Sequence, residues 1–209
     1  MAIVSIEMEK TRFYMPALAG RWEPDMRVIA GKARRLQLKT PEGLETRPTT
    51  DKTKETLFNI LNPYLADSDF LDIFSGSGAI GIEALSRGAK YAAFVEDNKA
   101  ALDCIKANLY STKLEAQGDV YAISAVEAIR ALEIKGKVFD VIFMDPPYNR
   151  MLEKEVLLAL QKSNIIYCDT IIIVEASIKT NFDYLEDTRF RIFKKKEYKT
   201  NQHVFIELK

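Results

Sequence analysis

The sequence predicts an α/β fold in which a mostly parallel sheet of seven strands is covered by helices. Two observations indicate this fold. From residue 69 onward, short apolar segments of strand length alternate with longer segments whose apolar residues recur at helical spacing. The first of these strands is followed by a glycine-rich turn that leads into a helix. Such alternation produces right-handed crossovers, with helices packed on the faces of a parallel sheet.

Each element of the sheet region follows from its local pattern. Strands are predicted at 70–74, 92–96, 120–124, 139–145, 171–176, 189–195 and 203–208. Helices are predicted from the glycine turn through Leu85, and then at 98–110, 126–133 and 151–162. No helix separates the last two strands, so we expect them to form an antiparallel hairpin.

The residues before the alternating region divide into two parts. Residues 1–25 mix apolar and charged residues without a clear period, and they form either a non-native extension or an arm that packs on the domain. Residues 26–66 are predicted to be a basic hairpin followed by a helix, and 67–209 the main domain. Thr50 or Asp51 is placed to cap that helix.

The composition is that of a soluble globular protein. Of the 209 residues, 47% are apolar and 29% are charged, which is enough to bury the core of one domain. Basic and acidic residues both number 30, so the net charge favours no class of partner. Cys104 and Cys168 lack the spacing of a metal site or a disulfide scaffold, and no apolar run reaches membrane-spanning length. We therefore expect a cytoplasmic protein without a membrane partner.

The glycine-rich turn carries the first chemical motif. Gly76, Gly78 and Gly81 match the pattern G-x-G-x-x-G between a strand and a helix. Glycine permits a tight turn and the close approach of a ligand to the backbone. Glu96 ends the next strand, where a carboxylate can accept both hydroxyls of a ribose. These features predict a nucleoside-containing cofactor at the carboxyl edge of the sheet.

Two cofactor classes fit this turn, a dinucleotide and S-adenosylmethionine. A pyrophosphate requires free N–H groups at the start of the helix. S-adenosylmethionine has no phosphate, and its ammonium group requires a nearby acceptor. Asp72 lies just before the glycine turn, and this position favours S-adenosylmethionine.

The second motif is Asp145-Pro146-Pro147-Tyr148, directly after the fourth strand. An exocyclic amine is a poor nucleophile and has to be held in line with the bond that breaks. Asp145 can accept one amine hydrogen, and the rigidly held carbonyl of Pro146 can accept another. Tyr148 offers a flat face to an unstacked base. The motif predicts transfer of a methyl group to a planar amine, with no metal required.

These segments together resemble the RsmD family, bacterial enzymes that methylate N2 of a guanine in 16S, or small-subunit, ribosomal RNA. The matching segments are RVIAGKARRLQL, RPTTDKTKETLFNIL, LDIFSGSGAIGIEALSRGA, VEDN and MDPPY. They span nearly the whole chain beyond residue 25. The resemblance implies a Rossmann-like class I methyltransferase fold with seven strands, the last of them antiparallel. It also implies S-adenosylmethionine as the methyl donor.

The resemblance implies a role for each matched residue. The cofactor contacts would come from Asp72, Ser75, Gly76, Ser77, Gly78, Glu96, Asp97, Ser124, Ala125 and Asp145. In this arrangement the glycine loop holds the methionine part, Glu96 holds the ribose, and Asp97 flanks the adenine. Family members often carry Asp or Asn at the adenine position, where this chain has Ser124. The catalytic residues would be Asp145, Pro146 and Tyr148.

Local charge predicts where the RNA binds. Residues 27–39 contain five basic residues and no acidic one, and the next segment adds more. The predicted RNA contacts are Arg27, Lys32, Arg34, Arg35, Arg47 and Lys52, with Lys54 adding to the same positive patch. Such contacts to phosphates provide affinity that is sensitive to salt. The expected partner is 16S rRNA within a small ribosomal subunit or an assembly intermediate, bound by a monomer.

Three alternatives remain open from the sequence. An amino-methyltransferase acting on adenine N6 or on a protein glutamine amide would use the same Asp-Pro-Pro-Tyr motif. A non-enzymatic RNA-binding module or an NAD-linked dehydrogenase would each leave part of the motif set unexplained.

His203, the single histidine, is predicted to lie on the surface of a strand. The basic tail from Arg189 to Lys199 has no assigned role.

Overall fold

The computed structural model describes residues 26–41, 51–148 and 150–209. The extension predicted at 1–25, the possible cap Thr50 and the predicted RNA contact Arg47 lie outside these residues. Within the described part of the chain, no helix is long and apolar enough to cross a membrane.

The main sheet has seven strands in the order β5-β4-β3-β6-β7-β9-β8. The strands are β3 (Asp69–Ile73), β4 (Tyr91–Val95), β5 (Gly118–Tyr121), β6 (Val141–Met144), β7 (Ile171–Ser177), β8 (Phe190–Glu197) and β9 (Asn201–Leu208). Strands β3 to β7 pair in parallel, and β9 runs antiparallel to both of its neighbours. This confirms the predicted sheet, including the hairpin at its end.

Five helices connect and cover these strands. They are α1 (Asp51–Leu61), α2 (Ala79–Arg87), α3 (Lys99–Thr112), α4 (Ala125–Ile134) and α5 (Leu152–Leu160). The helix α1 ends where Asn62-Pro63 begins a 3-10 turn, because the helical conformation is disfavoured for a residue before proline. The predicted strand ends differ from the observed ones by at most three residues, as expected where a strand passes into a loop.

Two apolar cores lie on the two faces of the sheet. Phe70, Phe143 and Phe205 belong to the core that α1, α2 and α3 cover. Leu71, Ile142 and Val204 point to the opposite core, which α4 and α5 cover. Alternation along each strand therefore assigns its side chains to one layer or the other.

A two-stranded hairpin precedes α1. The strands β1 (Met26–Arg27) and β2 (Gln37–Leu38) pair antiparallel, which confirms the predicted short hairpin. Met26, Val28 and Leu38 are buried in the same core as α1 and α2. The hairpin is thus packed on the helical layer of the main domain.

The prediction for His203 is wrong. The side chain is completely buried on β9, which lies between β7 and β8. Residues 202–206 are all buried, so both faces of β9 are covered here and a polar residue has to find partners inside the protein.

Candidate active site

The carboxyl ends of β3 and β6 lie side by side where the strand order reverses. The chain builds outward from β3 through β4 to β5, and then returns to place β6 on the other side of β3. In open α/β sheets, such a switch point forms a crevice in which ligands bind. The glycine turn follows β3 and the Asp-Pro-Pro-Tyr segment follows β6, so both predicted motifs flank this crevice. The N–H of Asp145 contacts the carbonyl of Ile73 at 3.4 Å.

The glycine turn has an open side only at Gly76. Phe74, Gly76 and Gly78 all have positive φ angles, of 61°, 53° and 77°, which only a sharp turn requires. A Cβ added at Gly76 would meet no atom within 4 Å. One added at Gly81 would lie 2.4 Å from the ring of Phe94. Gly76 therefore faces the space available to a ligand, whereas Gly81 permits α2 to pack closely on the sheet.

Glu96 joins the glycine turn to the end of β4. Its carboxylate accepts the N–H of Gly76 at 2.8 Å and the N–H groups of Asp97 and Asn98 at 3.0 and 2.9 Å. These bonds fix the carboxylate at the rim of the crevice. An ionised carboxylate has several lone-pair sites, so Glu96 can still accept a hydroxyl of a ribose.

Asp72 lies at the bottom of the crevice. It is almost completely buried, and one oxygen accepts the N–H of Gly81 at 2.9 Å. Burial raises the pKa of this carboxyl to about 8, with a further contribution from the charge of Glu96, while the Gly81 N–H opposes the shift. A cationic group placed beside it would favour the ionised form. This environment suits the ammonium group of S-adenosylmethionine.

The remaining predicted cofactor residues are placed around the same loop. The Ser75 hydroxyl donates to the carbonyl of Asp72 at 2.6 Å, and the Ser77 hydroxyl contacts the sulfur of Met26 at 3.6 Å. Both side chains shape the loop, so any contact from these positions would come from the backbone. Asp97 is exposed beside Glu96.

Ser124 and Ala125 follow β5, the strand beside β4 in the sheet. Ser124 caps α4, and its hydroxyl donates to Glu127 at 2.7 Å in a capping box. Ala125 begins the helix and is buried. The Ser124 hydroxyl is thus bound to Glu127. This position is therefore a weaker hydrogen-bond partner for an adenine than a free carboxylate or amide would be.

Asp145 and Tyr148 form the other wall of the crevice. Asp145 is half-buried, Pro146 is buried, and Tyr148 is 42% exposed. Burial raises the pKa of Asp145 well above its usual range, and the charges of Glu175 and Asp72 raise it further. The motif thus combines a partly buried carboxyl with an exposed aromatic ring.

The predicted RNA contacts within the described residues are exposed. Arg27, Lys32, Arg34 and Arg35 lie on the hairpin and its connecting loop, and Lys52 lies on the first turn of α1. Two of these side chains are held in place. Arg27 pairs with Asp51 at 2.8 Å, and Lys32 donates to the side chain of Gln117.

Lys54 does not belong to this basic surface, contrary to the prediction. Its side chain is 1% exposed; the ammonium donates to the carbonyl of Arg27 and lies 3.5 Å from Glu83. Burial lowers its pKa, and the charge of Glu83 opposes that effect. Lys54 therefore ties α1 to the hairpin instead of contacting a ligand.

Sequence reasoning missed the buried polar residues that attach the hairpin to the cofactor loop. Glu83 is completely buried and accepts the N–H groups of Ile29 and Ala30 at 2.7 and 3.0 Å and the guanidinium of Arg87 at 2.7 Å. Asn108 donates to the carbonyls of Ser77 and Lys39, both at 2.9 Å. Their spacing resembles an ordinary polar helix face, so no local signal distinguishes them.

The family model described as conserved hypothetical protein 95 matches residues 26–207. The chain belongs to this family. Ribosomal RNA small subunit methyltransferase D of Haemophilus influenzae is 39% identical over 154 residues, covering 72% of this chain and 78% of that protein. The protein of the same name from Escherichia coli K12 is 36% identical and covers 74% and 76%. The resemblance drawn from the motifs is therefore confirmed, and the chain is a methyltransferase.

Solved structures share the fold of this family member. The candidate methyltransferase yhhF of Escherichia coli has a TM-score of 0.77 and 31% identity, over 88% of this chain and 98% of that chain. A candidate methyltransferase in complex with SAH has a TM-score of 0.68 and 15% identity, over 91% of this chain and 58% of that chain. The fold is thus that of class I methyltransferases.

Replacing Glu96 tests the cofactor side of the crevice. In Glu96→Gln, we expect the Kd for S-adenosylmethionine to rise about 10- to 100-fold, because the charge-assisted hydrogen bonds to the ribose are removed. Isothermal titration calorimetry measures this change. Asp103→Asn, which removes an exposed carboxylate from α3, is the matched control and should leave the Kd unchanged. Equal affinities for the parent and Glu96→Gln would show that Glu96 does not bind the cofactor.

Proposed function

We propose that this methyltransferase transfers a methyl group from S-adenosylmethionine to the exocyclic N2 of a guanine in small-subunit ribosomal RNA. The placement of Asp145 and Tyr148 opposite the glycine turn carries the proposal. An acceptor carboxyl, a rigid proline carbonyl and an exposed ring form one wall of the crevice, and a nucleoside-binding loop forms the other. The names of the relatives support ribosomal RNA as the substrate class.

The described residues fit the proposed methyl donor. Gly76 leaves backbone open to the methionine part, Asp72 offers a carboxyl to its ammonium group, and Glu96 offers acceptors to the ribose. When bound, S-adenosylmethionine supplies an electrophilic methyl group on a positively charged sulfur, which leaves as a neutral thioether. Among the described residues that line the crevice, no cluster of basic groups is present that could bind the pyrophosphate of a dinucleotide.

The residues after β6 orient the target amine. Asp145 accepts one hydrogen of the amine and the carbonyl of Pro146 accepts the other, so that the nitrogen lone pair faces the crevice. Tyr148 stacks on the base and holds its plane, an interaction that contributes about 1–3 kcal/mol. Orientation of this kind accounts for much of the rate of a displacement in which the protein forms no covalent bond.

Asp145 also takes the proton that the reaction releases. As the N–C bond forms, the nitrogen becomes positively charged and its remaining hydrogens become acidic. The carboxylate of Asp145 stabilises that charge and then accepts one proton, leaving the neutral secondary amine. The raised pKa of this carboxyl makes it a better proton acceptor than an ordinary aspartate, provided that it is ionised before the transfer.

The basic hairpin binds the phosphates of the RNA in this proposal. Arg34 and Arg35 are exposed in the loop between β1 and β2, on the segment that Asn108 connects to the glycine turn. In Arg34→Ala/Arg35→Ala, we expect weaker RNA binding and a smaller dependence of log K on log salt, by about one unit of slope for each phosphate that is no longer neutralised. Fluorescence anisotropy across a salt series measures this. Arg130→Ala, an exposed arginine on α4, is the control, and an unchanged slope in the double variant would place the RNA elsewhere.

The substrate class is tested by following the methyl group. Purified protein is incubated with labelled S-adenosylmethionine and small ribosomal subunits from cells that lack this enzyme. We expect label in the RNA fraction and none in ribosomal protein or in DNA added as a competitor. Label in protein would replace the proposal with a glutamine-directed activity. The absence of label from every acceptor, with the cofactor bound, would refute RNA methylation.

A further inference from the structure

A row of ionisable side chains crosses one face of the sheet at its carboxyl edge. Asp72 on β3, Asp145 after β6, Glu175 on β7 and His203 on β9 occupy successive strands. Met144 pairs with Val174, so the next residue of each strand, Asp145 and Glu175, continues that register. Glu175 is in turn the direct cross-strand partner of His203.

Glu175 and His203 are joined by a buried hydrogen bond. The His203 Nε2 lies 3.0 Å from a carboxylate oxygen of Glu175, and the residues are 0% and 4% exposed. The other Glu175 oxygen accepts the side-chain amide of Asn201 at 2.6 Å. The His203 Nδ1 contacts the hydroxyl of Tyr198 at 3.2 Å. Both ring nitrogens and both carboxylate oxygens thus have partners inside the protein.

We propose that Glu175 and His203 are positioning residues for Asp145, and that the hydrogen bond from the His203 imidazole holds the Glu175 carboxylate and offsets its charge so that Asp145 can accept a hydrogen from the target amine. The inference rests on the proposed methyl transfer and adds two residues to it. Neither residue contacts the substrate in this account; both act through Asp145.

Charge explains why such a pair is needed. Two carboxylates on adjacent strands cannot both ionise in a buried setting without a large cost. The Glu175 charge is one of the causes that raise the pKa of Asp145. The hydrogen bonds that His203 and Asn201 donate to Glu175 stabilise its carboxylate and so oppose that effect. Tyr198, at the second ring nitrogen, fixes the orientation of the ring.

The groups around Asp145 and its neighbour Glu175 come from four elements. Asp72 lies on β3, Glu175 on β7 and His203 on β9, with Tyr198 in the turn between β8 and β9. On β8, the cross-strand partner of His203 is Lys196, whose side chain is exposed. Among the described residues, His203 is the completely buried side chain that donates a hydrogen bond to Glu175.

Two substitutions are expected to shift the pH dependence in opposite directions. The single-turnover rate of methyl transfer rises with pH as Asp145 ionises. In Glu175→Gln, the neighbouring negative charge is removed, so the rise should move to lower pH. In His203→Gln, the imidazole that binds Glu175 is replaced by a weaker hydrogen-bond donor, so the rise should move to higher pH. Each shift should be on the order of one pH unit, as for a neighbouring charge.

A purely structural role predicts a different result. It would lower the rate in both variants without moving the midpoints, and this outcome would overturn the inference. If the midpoint of the pH dependence did not move in His203→Gln alone, the imidazole would have no influence on Asp145. Binding of S-adenosylmethionine by calorimetry checks that each variant is folded. Tyr198→Phe is a milder variant, expected to shift the profile in the same direction as His203→Gln but by less.

A second readout does not depend on activity. Because His203 is the single histidine, a label at the Cε1 atom of its imidazole gives one NMR signal that needs no assignment. If the pair is coupled to Asp145, Asp145→Asn should change that chemical shift at fixed pH, because coupling between two sites is reciprocal. An unchanged signal would overturn the inference. Absence of methyl transfer by the parent protein would instead refute the proposed function and leave this readout intact.

Discussion

Asp145→Asn is expected to lower the single-turnover rate of methyl transfer about 10³-fold, with S-adenosylmethionine still bound. The amide keeps the size of the side chain but lacks the charge that stabilises the positively charged amine and accepts its proton. Removal of a single group of this kind typically costs two to four orders of magnitude. Rapid-quench measurement with saturating RNA reports the step itself.

The same variant separates catalysis from folding. Asp145 lies near the carboxyls of Asp72 and Glu175, and their charges raise its pKa. Removal of its charge should therefore leave the free energy of unfolding unchanged or increase it. A variant with parental stability, parental cofactor binding and a parental rate would contradict the role given to Asp145.

Glu83→Ala is expected to lower the free energy of unfolding by about 3–5 kcal/mol. Removing the carboxylate leaves the N–H groups of Ile29 and Ala30 without their acceptor and leaves the buried Lys54 ammonium with the Arg27 carbonyl but no opposite charge. The hairpin would lose part of its attachment to α2, because Glu83 holds Ile29 and Ala30 there while Ser86 still binds Ala33. Denaturant unfolding, with the slope compared between parent and variant, measures the decrease.

An exposed ion pair serves as the control for this measurement. Arg191 and Glu207 pair at 2.7 Å on the surface of β8 and β9. Glu207→Ala should cost less than about 1 kcal/mol, as exposed pairs generally do. Similar decreases in Glu83→Ala and Glu207→Ala would show that Glu83 is not a buried anchor.

The fold could be predicted because its signals are local. The strand–helix alternation, the glycine turn at Gly76 and Gly78, and the proline pair after β6 each depend on a few consecutive residues. A glycine at a positive φ angle and a proline both impose a backbone conformation directly. The switch point then follows from the order in which parallel strands are connected. For this reason the sequence correctly placed the glycine turn and the proline pair at the same edge of the sheet.

The buried polar contacts could not be predicted because they depend on residues far apart in the chain. Lys54 looks like part of a basic surface until α1 is packed against Glu83 on α2. His203 looks exposed until β9 is inserted between β7 and β8. In both cases the tertiary arrangement reverses the exposure that local alternation indicates. Sequence patterns therefore identified the groups that face the crevice better than those that support them.

The most direct test of the account identifies the atom that is methylated. Small subunits from cells that lack the enzyme are treated with the protein and labelled S-adenosylmethionine, and the RNA is digested to nucleosides for mass spectrometry. We expect the parent protein to form N2-methylguanosine at one position. In Asp145→Asn, the initial rate of its formation should be about 10³-fold lower. N6-methyladenosine, or a methyl group on any other atom of guanine, would contradict it.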